Sequence, residues 1–135
     1  MQGSRVGKKT IRILIVDDQP AVREGLRLRL SLEPELEVVG EAGDGAEAIA
    51  LAGSLRPDVV LMDVRMPGTD GIEATAALNV AVREIAVVML SLYDDIGTRR
   101  RAKEAGAAAF VAKHRMEEEL PAIIRRAALG RPEGA

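Results

Sequence analysis

The chain has 135 residues, a formal net charge of −2 and no cysteine. This length is typical of one domain with its own core, and the lack of cysteine excludes a disulfide framework, a thiolate metal site and thiol catalysis. The small net charge gives no general attraction to nucleic acid, and the two aromatic residues, Tyr93 and Phe110, cannot form a stacking platform for single-stranded nucleic acid.

Five short apolar runs rich in valine and isoleucine are predicted to be strands. They cover residues 11–16, 38–40, 59–62, 85–90 and 108–112. Each run is apolar almost throughout instead of alternating with polar residues, which is typical of strands covered on both faces.

Longer segments with a helical spacing of apolar residues separate these runs. The predicted helices cover residues 20–32, 44–55, 71–80 and 94–105, and a last helix lies near the end of the chain. The last helix has a clear amphipathic stripe, formed by Leu120, Ile123, Ile124, Ala127 and Ala128. Pro121 is expected in its first turn, because a proline in a helix interior costs about 3 kcal/mol.

The alternation of strands and helices predicts an α/β fold with a doubly wound, five-stranded parallel sheet and five helices. A single domain is expected over residues 10–129, with a flexible N-terminal segment at 1–9 and a flexible tail or the start of a linker at 130–135. In such sheets the ligand site lies at the carboxyl ends of the strands.

Five hydrophilic residues fall at this edge of the predicted sheet: Asp17, Asp18, Asp63, Ser91 and Lys113. Carboxylates that lie close together repel each other unless a cation neutralises them, and Mg²⁺ prefers oxygen ligands of this kind. Asp63 is the candidate nucleophile, because a carboxylate that attacks phosphorus gives an acyl phosphate. Lys113 and Ser91 are candidates for binding the phosphoryl oxygens.

Each of these residues also has an ordinary structural explanation. Asp18 can cap the helix that begins near residue 20, and Asp63 can cap the loop that follows it. Lys113 can be a solvated strand-end charge, and Ser91 can be a loop hydroxyl bonded to the local backbone. Phe110, three residues before Lys113, can be either a core ring or a ring whose rotamer follows the site. No residue decides the matter alone, and the prediction rests on the five hydrophilic residues together.

The sequence closely resembles the receiver domain of two-component response regulators. The resemblance covers roughly residues 11–129 and rests on IRILIVDDQP, EAGDGAEAI, RPDVVLMDVRMPGTDGIEA, VVMLSLYDD and GAAAFVAK, in that order. The second and third motifs are most similar to the subfamily whose receivers are joined to a LuxR-type helix-turn-helix output domain.

The resemblance implies a flavodoxin-like sheet of strand order 2-1-3-4-5 and a phosphorylated aspartate at Asp63. It implies a Mg²⁺ site formed by Asp17, Asp18, Asp63 and the backbone carbonyl of Arg65, with Mn²⁺ as a substitute. Lys113 would contact the phosphoryl group. The protein would be a signalling module and not an enzyme, apart from self-catalysed phosphotransfer and slow self-dephosphorylation.

The resemblance also implies a switch. Ser91 and Phe110 stand at the positions of the family's switch hydroxyl and switch aromatic, so that phosphorylation would change the face formed by helix 4, strand 5 and helix 5. Arg65 and Tyr93 stand at positions that tune phosphorylation and dephosphorylation rates, and their bulk is expected to slow hydrolysis. The loop behind the acceptor would be shaped by Pro67 and Gly68.

The implied partners are a sensor histidine kinase and, on phosphorylation, a second copy of the chain. DNA would be bound only through an output domain absent from this chain, and the arginines at 99–101 are interpreted as a solvated helix face. No segment approaches the roughly 20 apolar residues that span a bilayer, and no signal peptide is recognised, so a cytoplasmic protein without membrane contact is expected. His114 is expected at the surface.

Three other classes of protein compete with this interpretation. A haloacid-dehalogenase-type phosphohydrolase requires D-x-D after the first strand, but Gln19 stands two residues after Asp17. A flavodoxin-like FMN carrier requires a hydroxyl- and glycine-rich phosphate loop there, and this loop has two acids instead. The alternative that stays open is a receiver-like scaffold that binds partners without phosphorylation.

Overall fold

The computed structural model describes residues 10–66, 68–82 and 84–130. Within these residues there are five strands: β1 (Ile11–Val16), β2 (Leu36–Ala42), β3 (Val59–Asp63), β4 (Ala86–Ser91) and β5 (Ala109–Ala112). The α-helices of the same residues are α1 (Pro20–Leu30), α2 (Gly45–Leu55), α3 (Gly71–Ala81), α4 (Ile96–Glu104) and α5 (Met116–Gly130), the last preceded by a 3-10 turn (Lys113–Arg115).

All strand pairs are parallel, and the sheet has the order β2-β1-β3-β4-β5. The predicted fold class and strand order are therefore confirmed. The order changes direction after β1, so the carboxyl ends of β1 and β3 border the crevice in which doubly wound sheets bind their ligands.

Both faces of the sheet are buried, as the continuous apolar runs predict. Alternate strand residues such as Leu14, Val60 and Met89 pack under α2, α3 and α4. The intervening residues, such as Ile15 and Leu61, pack under α1 and α5. Because the central strands are covered twice, their ends are held firmly and give a rigid base to any group placed there.

The helices that follow β2 and β3 begin at side-chain caps. The Asp44 carboxylate accepts a hydrogen bond from the backbone N–H of Glu47 at 2.8 Å, which satisfies a free donor at the start of α2. Asp70 and Glu73 form a reciprocal capping box at the start of α3. These caps fix where the two helices leave the loops at the site.

The predicted position of Pro121 was wrong. Helix α5 already begins at Met116, so Pro121 is its sixth residue and lies in the interior. Three glutamates occupy the first turn, where negative charge is favourable, and this places the start earlier than the apolar stripe alone suggests. Pro121 cannot donate to the carbonyl of Glu117, and Arg29 Nε of α1 approaches that oxygen at 3.4 Å instead.

Strand β2 is longer than predicted and irregular. The apolar run covers only residues 38–40, but the strand extends over Leu36–Ala42, and its register with β1 shifts by one residue after Val38. As an edge strand it tolerates polar residues that a central strand would not. The other predicted boundaries agree with the observed ones to within two residues.

Some expectations concern residues that lie outside the described ranges. They are the flanks at 1–9 and 131–135 and the role of Pro67 in the loop behind the acceptor. Over the described residues, none of the helices has the length and apolar character needed to cross a membrane.

Candidate functional site

Asp63 is the last residue of β3 and is only 6% exposed. Its neighbour Val64 continues the contact with β4 by donating to the Leu90 carbonyl at 3.0 Å, and Gly71 donates to the Val64 carbonyl at 2.9 Å. A Cβ on Gly71 would lie 1.9 Å from the backbone oxygen of Asp63. Helix α3 can approach the acceptor strand this closely only because residue 71 is a glycine.

Three carboxylates meet at this point. Asp17, which is 1% exposed, and the half-buried Asp18 follow β1, and one oxygen each from Asp17, Asp18 and Asp63 lie within 4.8 Å of one another. The cap of α1 is Gln19, without a side-chain cap bond, so Asp18 does not cap that helix. Its alternative structural role is thus removed.

The loop that carries the first two acids is held by further bonds. Asp17 Oδ1 accepts from the Gln19 backbone N–H at 2.9 Å. Arg23 of α1 donates to the Asp17 backbone carbonyl at 2.6 Å, and the same guanidinium pairs with Glu41. We did not predict this role of Arg23, because the contact joins a helix to a loop six residues away and depends on how α1 leaves the sheet.

Lys113 supplies the cation at the acid cluster. Its Nζ lies 3.0 Å from Asp17 Oδ2 and 3.3 Å from Asp63 Oδ1. Burial alone would lower the pKa of Lys113, but the hydrogen bond to Asp17 and the charge of Asp63 outweigh it, and the pKa lies above its ordinary value. Lys113 is therefore charged at neutral pH and is not the solvated strand-end lysine of the alternative interpretation.

Burial raises the pKa of Asp63 from 3.8 to about 6. The positive charge of Lys113 opposes this rise, while the nearby negative charge of Asp17 adds to it. The backbone N–H of Arg65 also favours the ionised form. Burial and the charge of Asp17 thus destabilise the ionised form of Asp63, and a bound divalent cation would stabilise that form.

Ser91 ends β4 beside Asp63 and is 1% exposed. Its Oγ accepts from the backbone N–H of Tyr93 at 2.9 Å. The hydroxyl thus bonds to the local backbone, and it is buried at the same edge of the sheet as the acids. The ring of Tyr93 is half exposed, and the guanidinium carbon of Arg65 lies 4.7 Å from its centroid, so this contact connects the loops after β3 and β4.

Phe110 lies on β5, three residues before Lys113, and is half-buried against the core under α2, α3 and α4. The guanidinium carbon of Arg99 lies 4.7 Å from the centroid of its ring. The arginine run at 99–101 predicts only a solvated helix face, so this contact of Arg99 is not expected from the sequence. His114 is exposed, as predicted.

The sequence matches the profile of the family described as response regulator receiver domain over residues 13–125. The chain belongs to this family. Receiver domains are the signalling modules of response regulators in two-component systems; most are not enzymes, they bind Mg²⁺ at an acidic pocket, and sensor kinases phosphorylate them.

Individual relatives agree with this assignment. The chain is similar to the transcriptional regulatory proteins YxjL and LiaR of Bacillus subtilis, with 42% identity over 125 residues and 40% over 123. These alignments cover 93% and 91% of this chain but 57% and 58% of the relatives, so the chain spans less than two thirds of their length. The signal receiver domain of the response regulator NarL from Mycobacterium tuberculosis superposes with a TM-score of 0.86 at 37% identity, over 91% of this chain and 99% of that one.

The family and the function class predicted from the sequence are therefore confirmed, including the resemblance to the LuxR-type subfamily of response regulators. The structure brings the predicted site residues Asp17, Asp18, Asp63 and Lys113 into direct proximity.

Proposed function

We propose that Asp63 is the phosphoacceptor of this receiver domain and that it takes its phosphoryl group from a phosphohistidine of a sensor kinase. The observation that carries the proposal is the position of Asp63 at the end of a central strand, with two further carboxylates within 4.8 Å and the ammonium of Lys113 at 3.3 Å. Small acyl phosphates such as acetyl phosphate would serve as alternative donors.

The transfer forms one bond and breaks another. A carboxylate oxygen of Asp63 attacks phosphorus while the P–N bond of the phosphohistidine breaks and its electron pair returns to the imidazole nitrogen. The other ring nitrogen of the phosphohistidine carries a proton, so that the imidazole leaves as neutral histidine. Lys113 already lies between Asp17 and Asp63, so its charge is placed to bind the phosphoryl oxygens as they arrive. Burial keeps competing water away from the acyl phosphate.

The donor set fits Mg²⁺. Asp17, Asp18 and Asp63 together with the backbone carbonyl of Arg65 would hold the ion, and Mn²⁺ has similar enough demands to replace it. When bound, the ion offsets the negative charge of the carboxylates and of the incoming phosphoryl oxygens. The three carboxylates would supply oxygen ligands to the ion, and the ion would in turn offset their mutual repulsion.

Ser91 and Phe110 would change position in response to phosphorylation of Asp63. The added oxygens attract the Ser91 hydroxyl, whose present partner is the Tyr93 backbone. Movement of Ser91 leaves space that the half-buried ring of Phe110 can enter. The face formed by α4, β5 and α5 would change as a result, by a shift between two packings of the same chain.

Arg65 and Tyr93 would set the lifetime of the phosphorylated form. Their stacked side chains connect the loops after β3 and β4, and the backbone of Arg65 bonds to Asp63. This pair would hinder the approach of a water molecule to the acyl phosphate. We expect it to slow self-hydrolysis.

The output is proposed from the relatives. The printed names of YxjL and LiaR describe transcriptional regulators, and both are longer than this chain. Control of transcription would require an output domain outside the described residues, which would make the DNA contacts. Phosphorylation would favour a homodimer that brings two such domains together.

Intact-protein mass spectrometry tests the proposal. The purified chain is incubated with acetyl phosphate and Mg²⁺, and a single phosphoryl adduct is expected. The adduct should be lost in Asp63→Asn and in excess EDTA. Asp44→Asn is the matched control, since it removes one negative charge elsewhere while asparagine preserves the helix cap.

An adduct that persists in Asp63→Asn would contradict the assignment of the acceptor. If the wild-type chain forms no adduct, beryllofluoride and Mg²⁺ are added as a phosphoryl analogue. Binding of the analogue would mean that the site is competent but needs its kinase. No binding would favour the alternative, a scaffold that binds partners without phosphorylation.

A further inference from the structure

A chain of contacts connects the loop after Ser91 to the ring of Phe110. Asp94, three residues after Ser91, accepts a hydrogen bond from Arg99 Nε at 2.5 Å. The guanidinium carbon of Arg99 lies 4.7 Å from the centroid of Phe110. Three segments, the β4–α4 loop, helix α4 and strand β5, thus meet at one arginine.

We propose that Arg99 is a positioning residue that holds Phe110 in its half-buried position and thereby opposes the switch. The inference rests on the proposed function of Asp63, Ser91 and Phe110, and it adds a residue that sets the balance between the two packings. Arg99 does not touch the phosphoryl site itself and acts through the ring.

The physical argument begins with the stacking. A guanidinium over an aromatic face is attracted by the negative charge of the ring face, so Phe110 must give up this attraction when it moves beside Ser91. Arg99 cannot simply follow the ring, because its Nε is bound to Asp94 by a short, charge-assisted hydrogen bond. The same bond is the main reason that the pKa of Asp94 lies below its ordinary value.

The size of the effect follows from the exposure of the pair. Arg99 is exposed and Phe110 half-buried, and a contact of this kind shifts a two-state equilibrium by about two- to fivefold. When the binding-competent packing is the minor one, the apparent affinity of a ligand rises by the same factor as its population. Arg99→Gln should therefore bind beryllofluoride about two- to fivefold more tightly than the wild type.

The sign of this change separates the proposal from a simple field effect. Arg99→Gln removes a positive charge, and loss of a positive charge weakens anion binding if only the electrostatic field matters. Tighter binding is expected only if Arg99 holds the ring back. Arg100→Gln is the matched control, because Arg100 is the next residue of the same helix, is exposed and carries the same charge.

Phe110 can report on its own position, since it is the only phenylalanine of the chain. Biosynthetic labelling with 4-fluorophenylalanine gives one ¹⁹F resonance, which is followed during titration with beryllofluoride in excess Mg²⁺. In Arg99→Gln we expect the starting resonance to shift toward the saturated position and the midpoint to fall. Arg100→Gln should retain the wild-type resonance and midpoint.

A double-mutant cycle with unlabelled protein and calorimetric detection completes the test. If Arg99 acts through the ring, Arg99→Gln should not change the affinity for beryllofluoride in a Phe110→Leu background. An unchanged or weakened affinity of Arg99→Gln in the wild-type background would overturn the proposal, as would an equal response of Arg100→Gln. A wild type that does not bind beryllofluoride at all would contradict the proposed function instead.

Discussion

The unusual ionisation of Asp63 predicts a stability change with a defined dependence on pH. In the metal-free protein, burial raises the pKa of Asp63 to about 6, while the unfolded chain has the ordinary value of 3.8. The folded state therefore binds more protons than the unfolded state between these two values, and its stability falls as the pH rises through them. Above about pH 6 the full cost of the ionised, buried carboxylate is present.

Asp63→Asn removes this cost, because an amide has nearly the shape of the protonated acid and no charge. The full shift corresponds to about 3 kcal/mol as an upper figure, so the variant should be about 1–3 kcal/mol more stable than the wild type at pH 7.5 in EDTA. At pH 4 the two proteins should differ little. The pKa shift already contains the favourable contact with Lys113, which the variant also loses.

Urea denaturation followed by far-ultraviolet circular dichroism measures the difference at both pH values. Excess Mg²⁺ should make the wild type the more stable of the two proteins at pH 7.5. At a hundred times its Kd the ion stabilises the wild type by about 2.7 kcal/mol. It should stabilise the variant less, because Asp63→Asn removes one of its carboxylate ligands. A difference that is the same at pH 4 and pH 7.5 would refute the reasoning. So would a variant that is less stable than the wild type in EDTA.

Two further predictions concern the surroundings of the acceptor. Gly71→Ala should lower the free energy of unfolding, measured with urea, by about 1–3 kcal/mol, because the new Cβ would lie 1.9 Å from the backbone oxygen of Asp63. The same variant should bind beryllofluoride more weakly. The control Gly25→Ala should be neutral or stabilising, because nothing lies within 4 Å of the added Cβ. Arg65→Ala and Tyr93→Ala should each speed loss of the phosphoryl adduct, and the double variant should add little because the two side chains act as one stacked pair. Additive or absent effects on the adduct half-life would argue against such a pair.

The position of the site could be predicted because it depends on a short-range pattern. Asp63, Ser91 and Lys113 each stand at or just after the end of an apolar run, and parallel strands bring such ends to one edge whatever the details of the helices. The same argument holds for the two acids after β1. Here the order of residues along the chain is sufficient to determine which groups meet.

The arginine contacts could not be predicted in the same way. Arg23, Arg65 and Arg99 bind a carbonyl or a ring in another segment, and each contact depends on the angle of a helix or loop and on a long, flexible side chain. In the sequence Arg23 and Arg99 look like any solvated arginine. The resemblance singles out Arg65 and Tyr93, but it does not predict that the two side chains stack. The start of α5 was missed for a related reason, because the apolar stripe marks the buried face of a helix but not its first turn.

The arrangement also indicates why a signal formed at Asp63 would be read at β5. Asp63 and Ser91 end strands whose residues are buried on both faces, so a shift of either strand as a whole would disturb two cores at once. Among the described strands β5 pairs only with β4 and has four residues, and its Phe110 is half-buried under a single guanidinium. We therefore propose that the ring of Phe110, and neither central strand, rearranges when Asp63 is phosphorylated. In this proposal the Ser91 hydroxyl connects the chemistry at the centre of the sheet to the movement of the ring at its edge.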